Sequence, residues 1–136
     1  MAWVVDSSVL IDIAEGDPRF AQRSAQLVDR RRRSGIVIAP LSYVELAPLF
    51  NGIAEAQNEF LEAIGVHWTV AWTWPDTIAA HQAWHRYIAQ RRRGSISKRP
   101  VADVLIGAFA CRFEGLLTRN ARDFRGLFPD LRLEEP

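Results

Sequence analysis

Short apolar runs alternate along this chain with longer segments that carry polar residues. Because the runs are apolar on both faces and alternate with helical segments, they predict a mostly parallel sheet of four to five strands, covered by helices on both sides. The fold class is therefore α/β. The segments that predict strands are Ala2–Val5, Ile36–Ala39, His67–Val70, Gly115–Thr118 and, at an edge of the sheet, Leu131–Leu133.

Capping and helix-breaking residues delimit the helices between these strands. Ser7 or Ser8 can cap the first helix, which is expected to end near Gly16, and Gly35 ends the second. The predicted helices are Ser8–Glu15, Asp17–Arg33, Pro40–Phe50 with Glu45 in its first turns, Ile53–Ile64, Pro75–Arg93, Val101–Cys111 and Asn120–Arg125.

Acidic residues stand close to the ends of the strands and the starts of the helices. Asp6 follows the first strand, Glu45 lies about one and a half turns after the second, and Asp103 opens an apolar helix. The polar cluster Thr118–Asp123 follows another strand. Since parallel sheets bind ligands beyond the carboxyl ends of their strands, these groups are expected to converge there. Oxygen ligands without matched Cys or His favour Mg²⁺ or Mn²⁺ over zinc.

Each acid also has a purely structural interpretation. Asp6 could cap the helix that follows it, because Asp is common at that position. Glu45 could pair with a nearby arginine. Asp103 lies in an apolar helix and needs a partner if it is buried. The four positions together favour a cation site more strongly than any one of them does.

Length and composition fit one globular domain, residues 1–136, because the chain is 49% hydrophobic and no linker or low-complexity block divides it. The single Cys111 excludes an internal disulfide, and its apolar surroundings predict a buried, inert thiol. Asp6 interrupts the only apolar run near the start, and no run is long enough to span a membrane. We therefore expect a cytoplasmic protein with no membrane partner.

The formal net charge is only +1, yet 16 of the 17 basic residues are arginine, whose planar fork suits phosphate. The run Arg30–Arg33 is most simply a solvated helix end. The later arginines flank the acidic segments and favour contact with a polyanion.

Four motifs occur in order along the chain. They are Val-Val-Asp-Ser-Ser-Val-Leu-Ile at 4–11, Ser-Tyr-Val-Glu-Leu at 42–46, Ala-Asp-Val-Leu-Ile-Gly-Ala at 102–108 and Leu-Leu-Thr-Arg-Asn-Ala-Arg-Asp-Phe at 116–124. Together they resemble the motifs of PIN-domain nucleases, and most of all those of the VapC-type toxins of bacterial toxin–antitoxin pairs. The resemblance implies a three-layer α/β/α sandwich and Mg²⁺- or Mn²⁺-dependent endoribonuclease activity on RNA. It also implies a homodimer and inhibition by a small antitoxin protein.

The resemblance assigns roles position by position. Its three most regular acidic positions fall on Asp6, Glu45 and Asp103. Asn120 stands where many relatives have aspartate, so Asp123, three residues on, is taken as the fourth acid and metal ligand. Around these catalytic acids, Ser7, Thr118 and Asn120 are expected to support the ligands, and Arg99, Arg119 and Arg122 to contact the RNA backbone.

Two other functions stay open. The first is a non-catalytic RNA- or protein-binding module, in which the acids only cap helices. The second is a phosphatase or phospho-acceptor domain with Asp6 as nucleophile. That chemistry usually needs a second acid beside the first, which Ser7 and Ser8 do not supply.

Overall fold

The computed structural model describes residues 1–91 and 100–136, and within them five parallel strands form one sheet. The strand order is β3-β2-β1-β4-β5, so β1 is the central strand. Because every neighbouring pair is parallel, the carboxyl ends of all five strands lie at one edge. The strands are β1 (Trp3–Val5), β2 (Ile36–Val37), β3 (Val66–His67), β4 (Leu116–Leu117) and β5 (Leu133–Glu134).

Seven α-helices connect and flank these strands in the part of the chain that the structure describes. Two 3₁₀ turns, Arg32–Ser34 and Ala47–Phe50, extend the second and third of them. The helices are α1 (Ser7–Glu15), α2 (Ala21–Arg31), α3 (Pro40–Glu45), α4 (Ala54–Ala63), α5 (Trp74–Arg91), α6 (Val101–Ala110) and α7 (Ala121–Leu127).

The two faces of β1 pack against different sets of helices. On one face Trp3 and Val5 pack into a cluster with Leu10 of α1 and Leu27 of α2. On the other face Val4 packs in a second cluster, with residues of α6 and α7 such as Phe109 and Phe124. Side chains alternate along a strand, so this division places helices on both sides of the sheet. The predicted α/β architecture, with a parallel sheet between two layers of helices, is confirmed.

Helix α3 begins at Pro40, as the sequence pattern predicts, but it ends at Glu45 and not at Phe50. The chain then continues as a 3₁₀ turn with Pro48 near its start. Proline has no backbone N–H, and its ring clashes with a carbonyl one turn earlier, so an α-helix cannot continue through Pro48 without distortion. Glu45 lies in the second turn from the start of the helix, as predicted, and it is also the last residue of that helix.

The prediction of a buried Cys111 is wrong. Helix α6 ends at Ala110, and Cys111, its C-cap residue, is exposed. The apolar sequence around the thiol belongs to the buried face of α6, which stops one residue earlier. No helix in residues 1–91 and 100–136 is long and apolar enough to cross a membrane.

The packing of α6 against α7 depends on the small size of Gly107. A Cβ atom at this position would lie 2.3 Å from Cε2 of the buried Phe128 ring and 3.3 Å from Cδ1 of Phe124. We expect Gly107→Ala to lower the free energy of unfolding by about 2 kcal/mol, through overpacking. Denaturant unfolding followed by tryptophan fluorescence measures the change.

Gly126→Ala is the matched control. Gly126 lies in α7, and a Cβ atom there would have no neighbour within 4 Å. Alanine restricts the unfolded chain, so this variant should be as stable as the parent or more stable by up to about 1 kcal/mol. An unfolding midpoint for Gly107→Ala at or above that of Gly126→Ala would contradict the described packing.

Candidate metal centre

Asp6 lies between the end of β1 and the start of α1. Its backbone N–H donates to the Leu117 carbonyl at 2.8 Å, which holds Asp6 beside the end of β4. Asp6 is the N-cap residue of α1, but its side chain makes no capping hydrogen bond, and only 4% of the residue is exposed. The buried carboxylate is therefore not used to cap the helix.

Hydroxyl groups surround the Asp6 carboxylate. Thr118 Oγ1 donates to Oδ2 at 2.8 Å, and Ser8 Oγ donates to the same oxygen at 2.9 Å. The other oxygen, Oδ1, lies 3.5 Å from Ser7 Oγ. Among the described residues, no basic side chain forms an ion pair with Asp6. The site therefore holds a buried carboxylate on neutral hydroxyl donors, and no cation from the described part of the chain compensates its negative charge.

Ser7 connects Asp6 to Glu45. Its Oγ donates to Glu45 Oε1 at 3.0 Å, across 38 positions of sequence. Desolvation raises the pKa of the Glu45 carboxyl although the residue reaches solvent; the Ser7 hydrogen bond opposes this shift, and the charge of Asp6 adds to it. The two acids are thus close enough to repel each other, and a shared cation would relieve that repulsion.

Asp103 and Asp123 form a second pair. Asp103 lies in the first turn of α6 and Asp123 in the first turn of α7. Both line a cleft of about 240 Å³, together with Tyr87 and Gln90 of α5. Since α6 leads into β4 and α7 follows β4, both helices start at the carboxyl edge of the sheet, which is also the edge of Asp6 and Glu45.

The four predicted acids therefore lie at one edge but in two pairs. Asp6 is linked to Glu45 through Ser7, whereas Asp103 faces the same cleft as Asp123. Within residues 1–91 and 100–136, no group of three or more His, Cys, Asp or Glu side chains is placed so that it could hold a metal ion. The donor chemistry of the acids fits a hard divalent cation, but a site with three or four carboxylates requires the two pairs to approach each other.

The supporting residues of the last motif lie in the loop between β4 and α7. Thr118 is buried against Asp6, while Asn120 is exposed and precedes α7 without a side-chain capping bond. The Asn120 backbone N–H donates to Thr118 Oγ1 at 3.0 Å. Thr118 Oγ1 thus accepts a hydrogen bond from the loop backbone and donates one to the Asp6 carboxylate.

The three arginines predicted to contact RNA differ in their surroundings. Arg119 forms an ion pair with Asp12 at 2.9 Å, and its guanidinium carbon lies 4.4 Å from the centre of the Phe20 ring. Arg122 is exposed on α7. Arg99 lies outside the described residues. Contact of any of them with RNA stays a prediction.

Asp12 and Ser8 are parts of the site that the sequence analysis missed. Asp12 is buried, and desolvation raises the pKa of its carboxyl although the Arg119 charge opposes this. Its Oδ2 is buried and has no hydrogen-bond partner among residues 1–91 and 100–136. The sequence does contain a signal for Asp12, because an acid in an apolar helix with Val9 and Ile13 needs a partner if it is buried. For Ser8, the signal is a second hydroxyl directly after Asp6.

Comparison with known proteins finds a similarity among solved structures. No protein-family model matches the chain, and no curated protein matches its sequence. The fold is similar to a chain in the crystal structure of VapBC2 from Rickettsia felis bound to a DNA fragment from their promoter. The TM-score is 0.66 at 16% sequence identity, over 100% of this chain and 99% of that chain. At this identity the similarity shows a common fold.

The hydrogen bond between Thr118 and Asp6 can be tested by a double-mutant cycle. Thr118→Val preserves shape but removes one donor from a buried carboxylate, so it should lower the free energy of unfolding by about 2 kcal/mol. In an Asp6→Asn background the same change should cost only about 1 kcal/mol, because the acceptor is neutral. Denaturant titration of the four proteins measures the coupling. Equal costs in both backgrounds would contradict a hydrogen bond to a charged Asp6 carboxylate.

Proposed function

We propose that this protein is a metal-dependent endoribonuclease that acts as the toxin of a toxin–antitoxin pair. The observation that carries the proposal is the buried Asp6 carboxylate, which is held by hydroxyl donors and bridged by Ser7 to Glu45. The PIN-like fold and its similarity to a chain of VapBC2 support the same assignment.

The residues that would hold Mg²⁺ or Mn²⁺ are Asp6, Glu45, Asp103 and Asp123. Carboxylate oxygens are the ligands that these cations prefer, and a cation would offset the repulsion between Asp6 and Glu45. Whether one ion or two bind, the proposal requires Asp103 and Asp123 to approach the first pair from their cleft at the same edge of the sheet.

The proposed reaction is hydrolysis of an RNA phosphodiester by in-line attack of water, with release of the leaving oxygen as a hydroxyl. A bound divalent cation would lower the pKa of the attacking water and neutralise charge that develops on the phosphoryl oxygens. Thr118 and Ser8 keep the Asp6 carboxylate in place through its Oδ2 atom, and Ser7 orients Glu45. Arg122 is exposed next to this edge, where it can bind the backbone of the substrate.

The proposed partners follow from the toxin assignment. The similar chain belongs to a VapBC2 structure that contains promoter DNA, so we propose that this protein also binds a small cognate antitoxin. A homodimer and a cytoplasmic location belong to the same proposal.

A second candidate function is a non-catalytic RNA- or protein-binding module with a PIN-like fold. The separation of the acids into two pairs in the described residues favours it. Such a module would bind RNA without cleaving it, and its binding would not depend on divalent cations. Cleavage of RNA therefore distinguishes the nuclease from the binding module.

Cleavage of RNA by the purified protein tests the nuclease assignment. With Mg²⁺ or Mn²⁺ the parent should cut RNA, and a chelator should stop it. Loss of groups that merely support metal ligands costs 10- to 100-fold in activity as a rule, so Asp6→Asn and Asp103→Asn should each lower the rate by at least about 100-fold.

Asp29→Asn is the control, since it removes one acid from the exposed surface of α2 and should leave the rate unchanged. Cleavage at the parental rate by Asp6→Asn and Asp103→Asn would overturn the assignment. RNA binding without turnover in the parent would favour the binding module.

A further inference from the structure

Three arginines gather around the ring of Phe20, in the turn before α2. The guanidinium carbons of Arg19, Arg23 and Arg119 lie 5.3, 5.4 and 4.4 Å from the ring centre. All three guanidinium carbons are close to the centre of the same ring. The distance between any two of them is therefore at most about twice the largest of these three distances. They come from two separate parts of the sequence, and together with Phe20 they are called the Phe20 patch here.

The positive charge of the Phe20 patch is only partly neutralised. Arg119 is paired with the buried Asp12. Asp17 interacts with Arg19 and Arg119, but its Oδ1 accepts the backbone N–H groups of Arg19 and Phe20 at 2.8 and 2.9 Å. Arg19 and Arg23 are exposed and form no ion pair with an Asp or Glu side chain in the described residues, although Arg23 donates to the main-chain oxygen of Pro136 at 3.2 Å.

The Phe20 patch is adjacent to the candidate metal centre. Arg119 directly follows Thr118, and its backbone N–H lies 3.3 Å from Ser8 Oγ. Thr118 and Ser8 are the two residues that donate to Asp6 Oδ2. One short loop therefore connects the buried carboxylate to the cluster of guanidinium groups.

We propose that Arg19, Arg23 and Arg119 form a binding site for RNA phosphates, which holds the strand on the α2 side of Asp6. This inference extends the proposed nuclease function, because it gives the substrate a path next to the acids. Guanidinium groups bind phosphate oxygens through a planar set of donors. Their contact with the Phe20 ring orders the long side chains in advance, which lowers the entropy that binding must overcome.

The more conspicuous arginine run, Arg30–Arg33, does not offer the same surface. Arg31 forms a bidentate ion pair with Glu134 and lies 4.6 Å from the centre of the Trp3 ring. Arg30 and Arg33 are exposed, but they lie at the other end of α2. The 11 residues of α2 separate its two ends by about 16 Å. Arg30 and Arg33 therefore provide a control with the same charge change at a different place.

The test compares Arg19→Gln/Arg23→Gln with Arg30→Gln/Arg33→Gln. Binding of a fluorescein-labelled single-stranded RNA is measured by anisotropy in the presence of a chelator, over a range of salt concentrations. The Phe20-patch variant should bind at least roughly 10-fold more weakly at low salt. Its plot of log affinity against log salt should be less steep by about 1.4, since each lost phosphate contact on a single strand removes about 0.7. The control variant should stay within about 2-fold of the parent.

Parental affinity in the Phe20-patch variant, or an equal loss in the control, would overturn the proposal. Binding of poly-glutamate is measured in parallel. If the Phe20-patch variant loses poly-glutamate binding but keeps RNA binding, the surface serves an acidic protein segment instead, which also overturns the proposal. All four side chains are exposed, so both variants should fold like the parent, and circular dichroism checks this.

The proposal and the nuclease assignment fail separately. Binding is measured with the divalent cations chelated, so it does not depend on cleavage. If the Phe20-patch variant binds RNA more weakly but the parent cuts no RNA with Mg²⁺ or Mn²⁺, the phosphate-binding site is supported and the nuclease function is not. If the parent cuts RNA but all variants bind RNA equally well, the nuclease function is supported and the phosphate-binding site is not.

Discussion

The site depends on a buried carboxylate that forms no ion pair with any basic side chain of residues 1–91 and 100–136. Asp6 accepts hydrogen bonds from the hydroxyls of Ser8 and Thr118, and the Thr118 hydroxyl is available because β1 and β4 are adjacent and parallel. That pairing brings Thr118 to Asp6 across 112 positions of sequence. A buried ion on neutral donors is costly for a folded protein, so its persistence calls for a function in which a cation or substrate offsets the cost.

The same arrangement links the fold to the proposed chemistry. The hydroxyls fix Asp6 Oδ2, while Ser7 ties Asp6 to Glu45 and so places two negative charges side by side. Asp103 and Asp123 face a cleft at the same edge of the sheet. The positive groups meet the same loop at Arg119, which joins Arg19 and Arg23 at Phe20. Acids that can bind a cation and arginines that can bind phosphate thus flank one loop.

The parts of this structure that depend on local pattern could be predicted from the sequence. The apolar run before Asp6 and the polar-to-apolar change after it placed β1, α1 and the first acid correctly. Predictions that depend on the end of an element were less accurate, as Glu45 and Cys111 show. One proline decides where the helix that contains Glu45 ends, and one residue of helix length decides whether Cys111 is buried. The ion pair of Asp12 with Arg119 and the gathering of arginines at Phe20 join distant segments. Periodicity and capping signals do not contain that information.

The central claim is that Asp6 and Asp103, which belong to different pairs, bind the same cation. Titration of RNA-free protein with Mn²⁺, followed by electron paramagnetic resonance, tests it without requiring any activity. The account predicts a saturable site that Asp6→Asn and Asp103→Asn each weaken by at least about 10-fold, as expected for the loss of a ligand. Mn²⁺ affinity that falls in Asp6→Asn but equals the parental value in Asp103→Asn would show that the two pairs do not share an ion, and would contradict the account.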